Sequence, residues 1–182
     1  MKIQNRGFYA DYKPMNFVDG EGVRCSLYVS GCPFNCKGCY NPKLQDGNYG
    51  AYYNSDLENQ ILKDLDLPYV QGLSLMGGEP FANLAISLPL VKRVREIYSE
   101  KKDIWVWTGY LFEQLINSKN GHRELLEMID VLVDGPFVEG KYHKGLFFRG
   151  SSNQRIIDVP KSLELGELSL WQAGNYLLKE VP

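Results

Sequence analysis

The sequence predicts an α/β fold with a mainly parallel sheet, arranged as a partial, open (βα) barrel. Three observations lead there. Apolar, β-branched and aromatic runs alternate with segments of helical period, the pattern of strands joined by crossover helices. Four unusual turns follow the carboxyl ends of the expected strands, the edge at which open α/β sheets and βα barrels bind ligands. The chain has 182 residues, too few for a closed eight-fold barrel, which typically needs about 250.

Each element has a local reason. Val23–Ser30 (VRCSLYVS) is rich in β-branched and aromatic residues and reads as a strand. It runs into Gly31–Tyr40, a loop of Gly, Pro, Asn and Cys. Leu57, Ile61, Leu62 and Leu65 recur at helical spacing in Asp56–Leu65, with Ser55 as a candidate cap. Gly72–Met76 is a short buried strand ending in Gly77-Gly78-Glu79-Pro80. Ile86–Ser99 is a helix that tolerates Pro89 near its start. Ile104–Thr108 (IWVWT) is a strand closed by Gly109. Leu111–Asn117 and Arg123–Ile129 read as helices, and Val131–Asp134 as a strand closed by Gly135-Pro136. Arg155–Val159 is a further candidate strand, and Leu163–Pro182 carries no assignable pattern. No repeat or low-complexity block interrupts this order, so residues 1–182 are read as a single domain.

Composition narrows the function classes. The chain is 44% hydrophobic and 23% charged, with a net charge of −2, as in ordinary globular domains. A pI near 5.7 argues against a dedicated nucleic-acid binder, which is usually basic along one face. No apolar run approaches the roughly 18 residues of a membrane span, and the polar, aromatic start from Met1 to Asp11 does not resemble a secretory signal. A cytoplasmic protein is the expectation. In that reducing compartment cysteines serve as metal ligands or catalysts more often than as disulfides.

Cys32, Cys36 and Cys39 stand as C-x3-C-x2-C in GCPFNCKGCYN. Three thiolates within eight residues can wrap one soft metal centre, zinc or an iron–sulfur cluster. Structural zinc normally takes four ligands in two separated pairs, whereas this loop offers three at unequal spacing. A cube held by three cysteines leaves one iron free of protein ligands, an open position for chemistry. Buried structural thiols and a zinc site are the competing readings. Cys25 lies within the strand seven residues before Cys32 and reads as a small buried hydrophobe.

With Phe34 and Tyr40 beside it, the C-x3-C-x2-C loop resembles that of the radical S-adenosylmethionine (radical SAM) superfamily. The finer resemblance is to the activating proteins of anaerobic, class III ribonucleotide reductase. It is carried in order by Asp19–Cys25, Val29–Cys32, Cys39-Tyr40-Asn41, Lys102–Tyr110 (KDIWVWTGY), Val131–Phe137 (VLVDGPF) and Arg149–Arg155 (RGSSNQR). These span about residues 16–158, leaving 159–182 as an extension of open role. The family often has Asn-Gly-Pro-Gly where this chain has Asp19-Gly20-Glu21-Gly22, and Asp where it has Glu79.

The resemblance implies a radical SAM type of partial barrel. It implies a [4Fe-4S] cluster on Cys32, Cys36 and Cys39, whose free iron is chelated by S-adenosylmethionine. Reductive cleavage of that cofactor gives a 5′-deoxyadenosyl radical, which abstracts hydrogen from a glycine of the reductase. The partners implied are the reductase and a flavodoxin-like electron donor, with no nucleic acid and no membrane. Gly77, Gly78 and Glu79 are expected to bind the methionine amino group. Gly38, Cys39, Tyr40, Thr108 and Asp134 complete the expected cofactor contacts, Asp134 through a ribose hydroxyl or a cation unless it merely forms the turn before Gly135. Trp105 and Trp107 read as aromatic packing before adenine contact, and Tyr110 equally as lid or core. Lys141, His143, Lys144, Arg149 and Arg155 form a basic stretch, either a solvated face or a docking face for the reductase. No catalytic acid–base dyad is expected beyond the cluster.

Two alternatives remain. One is another small radical SAM enzyme, such as an activase of a different glycyl-radical enzyme or a deazaguanine carboxy synthase, which usually has Asp-Thr where this chain has Tyr40-Asn41. The other is a non-catalytic zinc or iron–sulfur binding module.

Overall fold

The computed structural model describes residues 7–172. Half of the unassigned Leu163–Pro182 tail, residues 173–182, and the first six residues therefore lie outside the described part. In chain order the elements are β1 (Phe8–Asn16), β2 (Val23–Val29), β3 (Ala51–Tyr52), α1 (Ser55–Leu65), β4 (Val70–Gly77), α2 (Leu84–Tyr98), β5 (Asp103–Trp107), α3 (Phe112–Ile116), α4 (His122–Leu126), β6 (Val131–Asp134), β7 (Arg155–Asp158) and α5 (Val159–Leu165).

The strands form one open seven-stranded sheet in the order β3-β1-β2-β4-β5-β6-β7. Its middle, β2-β4-β5-β6, is parallel. Antiparallel strands flank both sides: β1 beside β2 with β3 beside β1, and β7 beside β6. The α/β, mainly parallel sheet expected from the sequence is present, and the sheet is not closed.

Alternation along the strands divides the sheet into two faces. Cys25, Leu27 and Val29 of β2, Leu73 and Leu75 of β4, Ile104 and Val106 of β5 and Leu132 of β6 join the helices in one buried core. The opposite face carries Trp105, Val131 and Val133, covered by Trp107, Phe148, Ile156 and Trp171. Trp105 therefore packs as core, while Trp107 at the strand's end also reaches the cavity described below. Cys25 is fully buried, as a small hydrophobe should be, and its thiol donates to the Pro14 carbonyl at 3.4 Å. Burial raises this thiol's pKa to about 11.

Several boundaries differ from the sequence expectation for physical reasons. β1 was not anticipated, because Tyr12 is half-buried while its neighbours Asp11 and Lys13 are exposed, and Pro14 interrupts its alternation. Long-range pairing with β2 and β3 makes it a strand. Asn54, not Ser55, caps α1, its side chain accepting from the Leu57 amide at 3.0 Å. Helix α2 begins at Leu84, so Pro89 sits inside it rather than near its start; the ring removes the amide that would bond the Ala85 carbonyl. β7 ends at Asp158, whose carboxylate caps α5 by accepting from the Lys161 amide.

At the amino end of the parallel strands a buried polar plug fills the sheet. Arg24, fully buried, pairs with Asp103 and donates to Ser74 Oγ at 2.7 Å, Leu73 O at 2.9 Å and Glu21 O at 3.0 Å. Ser74 Oγ in turn donates to Asp19 O at 2.6 Å, and the guanidinium lies 5.3 Å from the Trp105 ring centroid. Every charge here has a partner, as a buried charge requires.

Candidate functional site

At the other end of the same strands lies a cavity of about 560 Å3, well within the range of small-molecule and cofactor sites. One wall is the loop after β2. Gly31 donates to Leu44 O at 2.8 Å, Cys32 to Gln45 O at 3.4 Å and Cys39 to Cys36 O at 3.2 Å. These bonds fold the loop so that Cys32, Cys36 and Cys39 all line the cavity. All three are free thiols and half-buried. Burial pushes the Cys32 thiol upward.

The loop after β4 forms the floor. Gly78 N donates to Val29 O at 2.7 Å and Glu79 N to Gly31 O at 2.9 Å, so this turn is stitched to the start of the cysteine loop. The glycines permit it. A side chain on Gly78 would lie 2.4 Å from Gly31 O, and Gly77 adopts φ +105° against the backbone of β2. The two loops thus form one unit.

Glu79 is buried, with its carboxylate turned along the strand ends. Oε1 accepts from Phe81 N at 3.0 Å and from Thr108 Oγ1 at 2.8 Å, and Oε2 accepts from Gly109 N at 2.8 Å. Burial pushes its pKa up to about 7, against the three hydrogen bonds that favour the ionised form. Thr108 Oγ1 also accepts from Tyr110 N at 3.1 Å. Glu79 therefore ties the end of β4 to the end of β5. Phe34 of the cysteine loop fits against Gly109, where a Cβ would lie 2.4 Å from the ring, and meets Tyr110 edge-on at 4.8 Å. Tyr110 packs on the core and on Phe34 together.

Of the residues expected at the site, Cys32, Cys36, Gly38, Cys39, Tyr40, Gly77, Gly78, Glu79 and Thr108 all line the cavity. Tyr40 stands at its rim, 95% exposed. Asp134 is not among the lining residues. Its buried carboxylate accepts from Phe112 N at 2.8 Å and pairs with Arg155, which also holds Glu113 at 2.8 Å. The cation it holds is thus a side chain of this protein. Trp107, expected first as packing, also lines the cavity, and so do Met76, Phe137, Glu139, Tyr142 and Gln154, which the sequence does not mark individually. Phe137 and Gln154 lie in runs already recognised, VLVDGPF and RGSSNQR, but only tertiary folding shows that they face the cysteines.

The donor set suits a soft iron–sulfur centre. Among the described residues no three His, Cys, Asp or Glu side chains converge to hold a single ion. A cube makes no such demand, since each of three thiolates binds a different iron. The remaining cavity, walled by glycine backbone and aromatic rings, leaves room for a second small molecule.

The family described as 4Fe-4S single cluster domain matches residues 18–157, which embraces every wall of this cavity. The anaerobic ribonucleoside-triphosphate reductase-activating protein of Pasteurella multocida is 45% identical over 152 residues, 81% of this chain and 95% of that protein. The chain belongs to this family of activating proteins. Other members are similarly close: that of Escherichia coli K12 is 42% identical over 81% of this chain and 96% of its own. The family's member in bacteriophage T4 is 38% identical over 79% and 88%. No helix among the described residues is long and apolar enough to cross a membrane.

Proposed function

We propose that this chain activates an anaerobic ribonucleotide reductase by placing a radical on one of its glycines. A [4Fe-4S] cluster held by Cys32, Cys36 and Cys39 and a molecule of S-adenosylmethionine serve this task, within a partial barrel of the radical SAM type. The observation that carries the reading is the convergence of all three cysteines, the Gly77-Gly78-Glu79 turn and the Thr108-Gly109 strand end on one cavity.

Together the two groups supply reductive cleavage of a sulfonium bond, giving a 5′-deoxyadenosyl radical able to remove hydrogen from glycine. The protein's residues do the rest. Cys32, Cys36 and Cys39, which line the cavity, would hold the cluster through three thiolates and leave one iron without a protein ligand. The backbone of Gly77 and Gly78, which line the cavity, would accept from the cofactor's ammonium. Glu79 keeps Thr108 and Gly109 in place rather than facing the ligand with both oxygens. Trp107, Phe34 and Phe137 line the cavity with rings and limit water there. Tyr40 and Tyr142, exposed and lining the cavity, offer an apolar margin to an entering glycine loop. A flavodoxin-like donor in the cytoplasm supplies the electron.

The test is anaerobic. Reconstituted protein, S-adenosylmethionine, reductant and the reductase should yield a glycyl-radical resonance, absent with Cys36→Ala. Cofactor cleavage without any radical on the reductase would contradict the assignment.

A further inference from the structure

Of the run Arg149–Arg155, Gly150 and Gln154 line the cavity, and its two arginines are already engaged. Arg155 is held by Asp134 and Glu113, and Arg149 donates to Gln154 O at 2.8 Å. They are poorly placed to meet a partner. We propose instead that this turn is a clasp that positions the cavity wall facing the cysteine loop, with Gln154 as its positioning residue.

The bonds fall in a series. Gln154 is buried, and its Nε2 donates to Gly135 O at 2.9 Å. Its Oε1 accepts from Gly150 N at 2.8 Å and from Ser151 N at 3.1 Å, so the amide is fixed from both ends. Asn153 Nδ2 donates to Pro136 O at 2.8 Å. Ser151 Oγ accepts from Val138 N at 3.1 Å, and Ser152 N donates to Lys141 O at 2.9 Å. Four consecutive residues thus hold the stretch from Gly135 to Lys141, which belongs to no strand and has a single short helical turn at Glu139–Lys141.

That stretch supplies Gly135, Pro136, Phe137 and Glu139 to the cavity. Glu139 then meets the tip of the cysteine loop. Its carboxylate lies 3.4 Å from Lys37 Nζ, and a side chain on Gly38 would come within 2.7 Å of Glu139 Oε1. The clasped wall and the cysteine loop therefore touch at Gly38, and the clasp sets the width of the space between them. A buried amide fixed by three bonds does this precisely, since losing one leaves a polar group unsatisfied.

The inference rests on the cofactor reading above. Gln154→Glu tests it, because it keeps both accepted bonds and sets an oxygen against the Gly135 carbonyl. In cluster-free protein, amide hydrogen exchange over residues 135–141 should quicken in Gln154→Glu and stay unchanged over β2. In reconstituted protein of equal iron content and equal thermal midpoint, the dissociation constant for S-adenosylmethionine should rise at least about tenfold, as displacement of a positioned wall by a fraction of an ångström allows. Asn153→Ala, at a half-buried position, should move both readouts the same way but less, and serves if Gln154→Glu folds poorly. Unchanged exchange, or wild-type cofactor affinity alongside faster exchange, overturns the clasp as a positioning device. If wild-type protein itself fails to bind the cofactor while the exchange difference is seen, the cofactor reading is what falls, and the positioning role falls with it.

Discussion

The two ends of the parallel strands solve opposite problems with similar residues. At the amino end, Arg24, Asp103, Ser74 and the carbonyls of Asp19, Glu21 and Leu73 satisfy one another within the sheet. At the carboxyl end, three thiols and a glycine-rich turn are left facing a cavity, and the charged groups nearby serve to hold loops in place. Polar groups that satisfy each other stabilise a fold; polar and soft groups left facing a space bind something. The contrast explains why Glu79 and Asp134, both at the carboxyl edge, act through other residues, whereas the cysteines face the cavity.

The largest effect should come from breaking the closed end. Arg24→Met leaves Asp103 buried without its ion-pair partner, and a broken buried pair typically costs about 3–5 kcal/mol. Denaturant unfolding should show that loss, while the folded fraction should retain normal iron uptake. Lost iron binding in folded protein would mean that the two ends are not independent.

Gly109→Ala disturbs the open end by packing alone. The added carbon would stand 2.4 Å from the Phe34 ring, so the ring and the cysteine loop must move. Overpacking of this kind costs about 1–3 kcal/mol, and cofactor affinity should fall by more than the loss of stability accounts for. Wild-type affinity would show that Phe34 does not anchor the loop.

Acidity offers a subtler probe. Burial lifts the Glu79 carboxyl from its ordinary 4.5 to about 7 in the fold. Between those values the folded chain keeps a proton that the unfolded chain has released. The contribution is fully present below about 4.5 and lost as pH rises through about 7. In metal-free protein the gap in thermal midpoint between wild type and Glu79→Gln should therefore narrow as pH climbs across that window. A gap that widens would place the carboxyl's pKa below its ordinary value.

The smallest effect belongs to the rim. Lys37 is 91% exposed and pairs with a half-exposed Glu139. Lys37→Ala should change stability by no more than about 0.5 kcal/mol and leave cofactor binding intact, since Glu139 is held by the turn behind it.

What the sequence disclosed follows the same division. The cysteine loop was legible because its ligands lie within eight residues, and Val131–Asp134 because four apolar-rich residues end at Gly-Pro. The strand ends pointed to one edge, and the cavity lies there. The plug was not legible. A buried Arg24 needs Asp103, 79 residues away, and nothing local distinguishes it from a surface arginine. The pairing of Asp134 with Arg155 and the grip of Gln154 on Gly135 likewise depend on β6 and β7 lying side by side. β1 escaped notice because its strand character comes from two neighbours in the sheet and only weakly from its own alternation.

The most direct measurement is Mössbauer spectroscopy of anaerobically reconstituted, iron-57-labelled protein with and without S-adenosylmethionine. One iron of four should differ from the rest and shift when the cofactor is added, since only three thiolates line the cavity. Four equivalent irons that ignore the cofactor, or a centre containing zinc, would contradict a cluster held open at one corner.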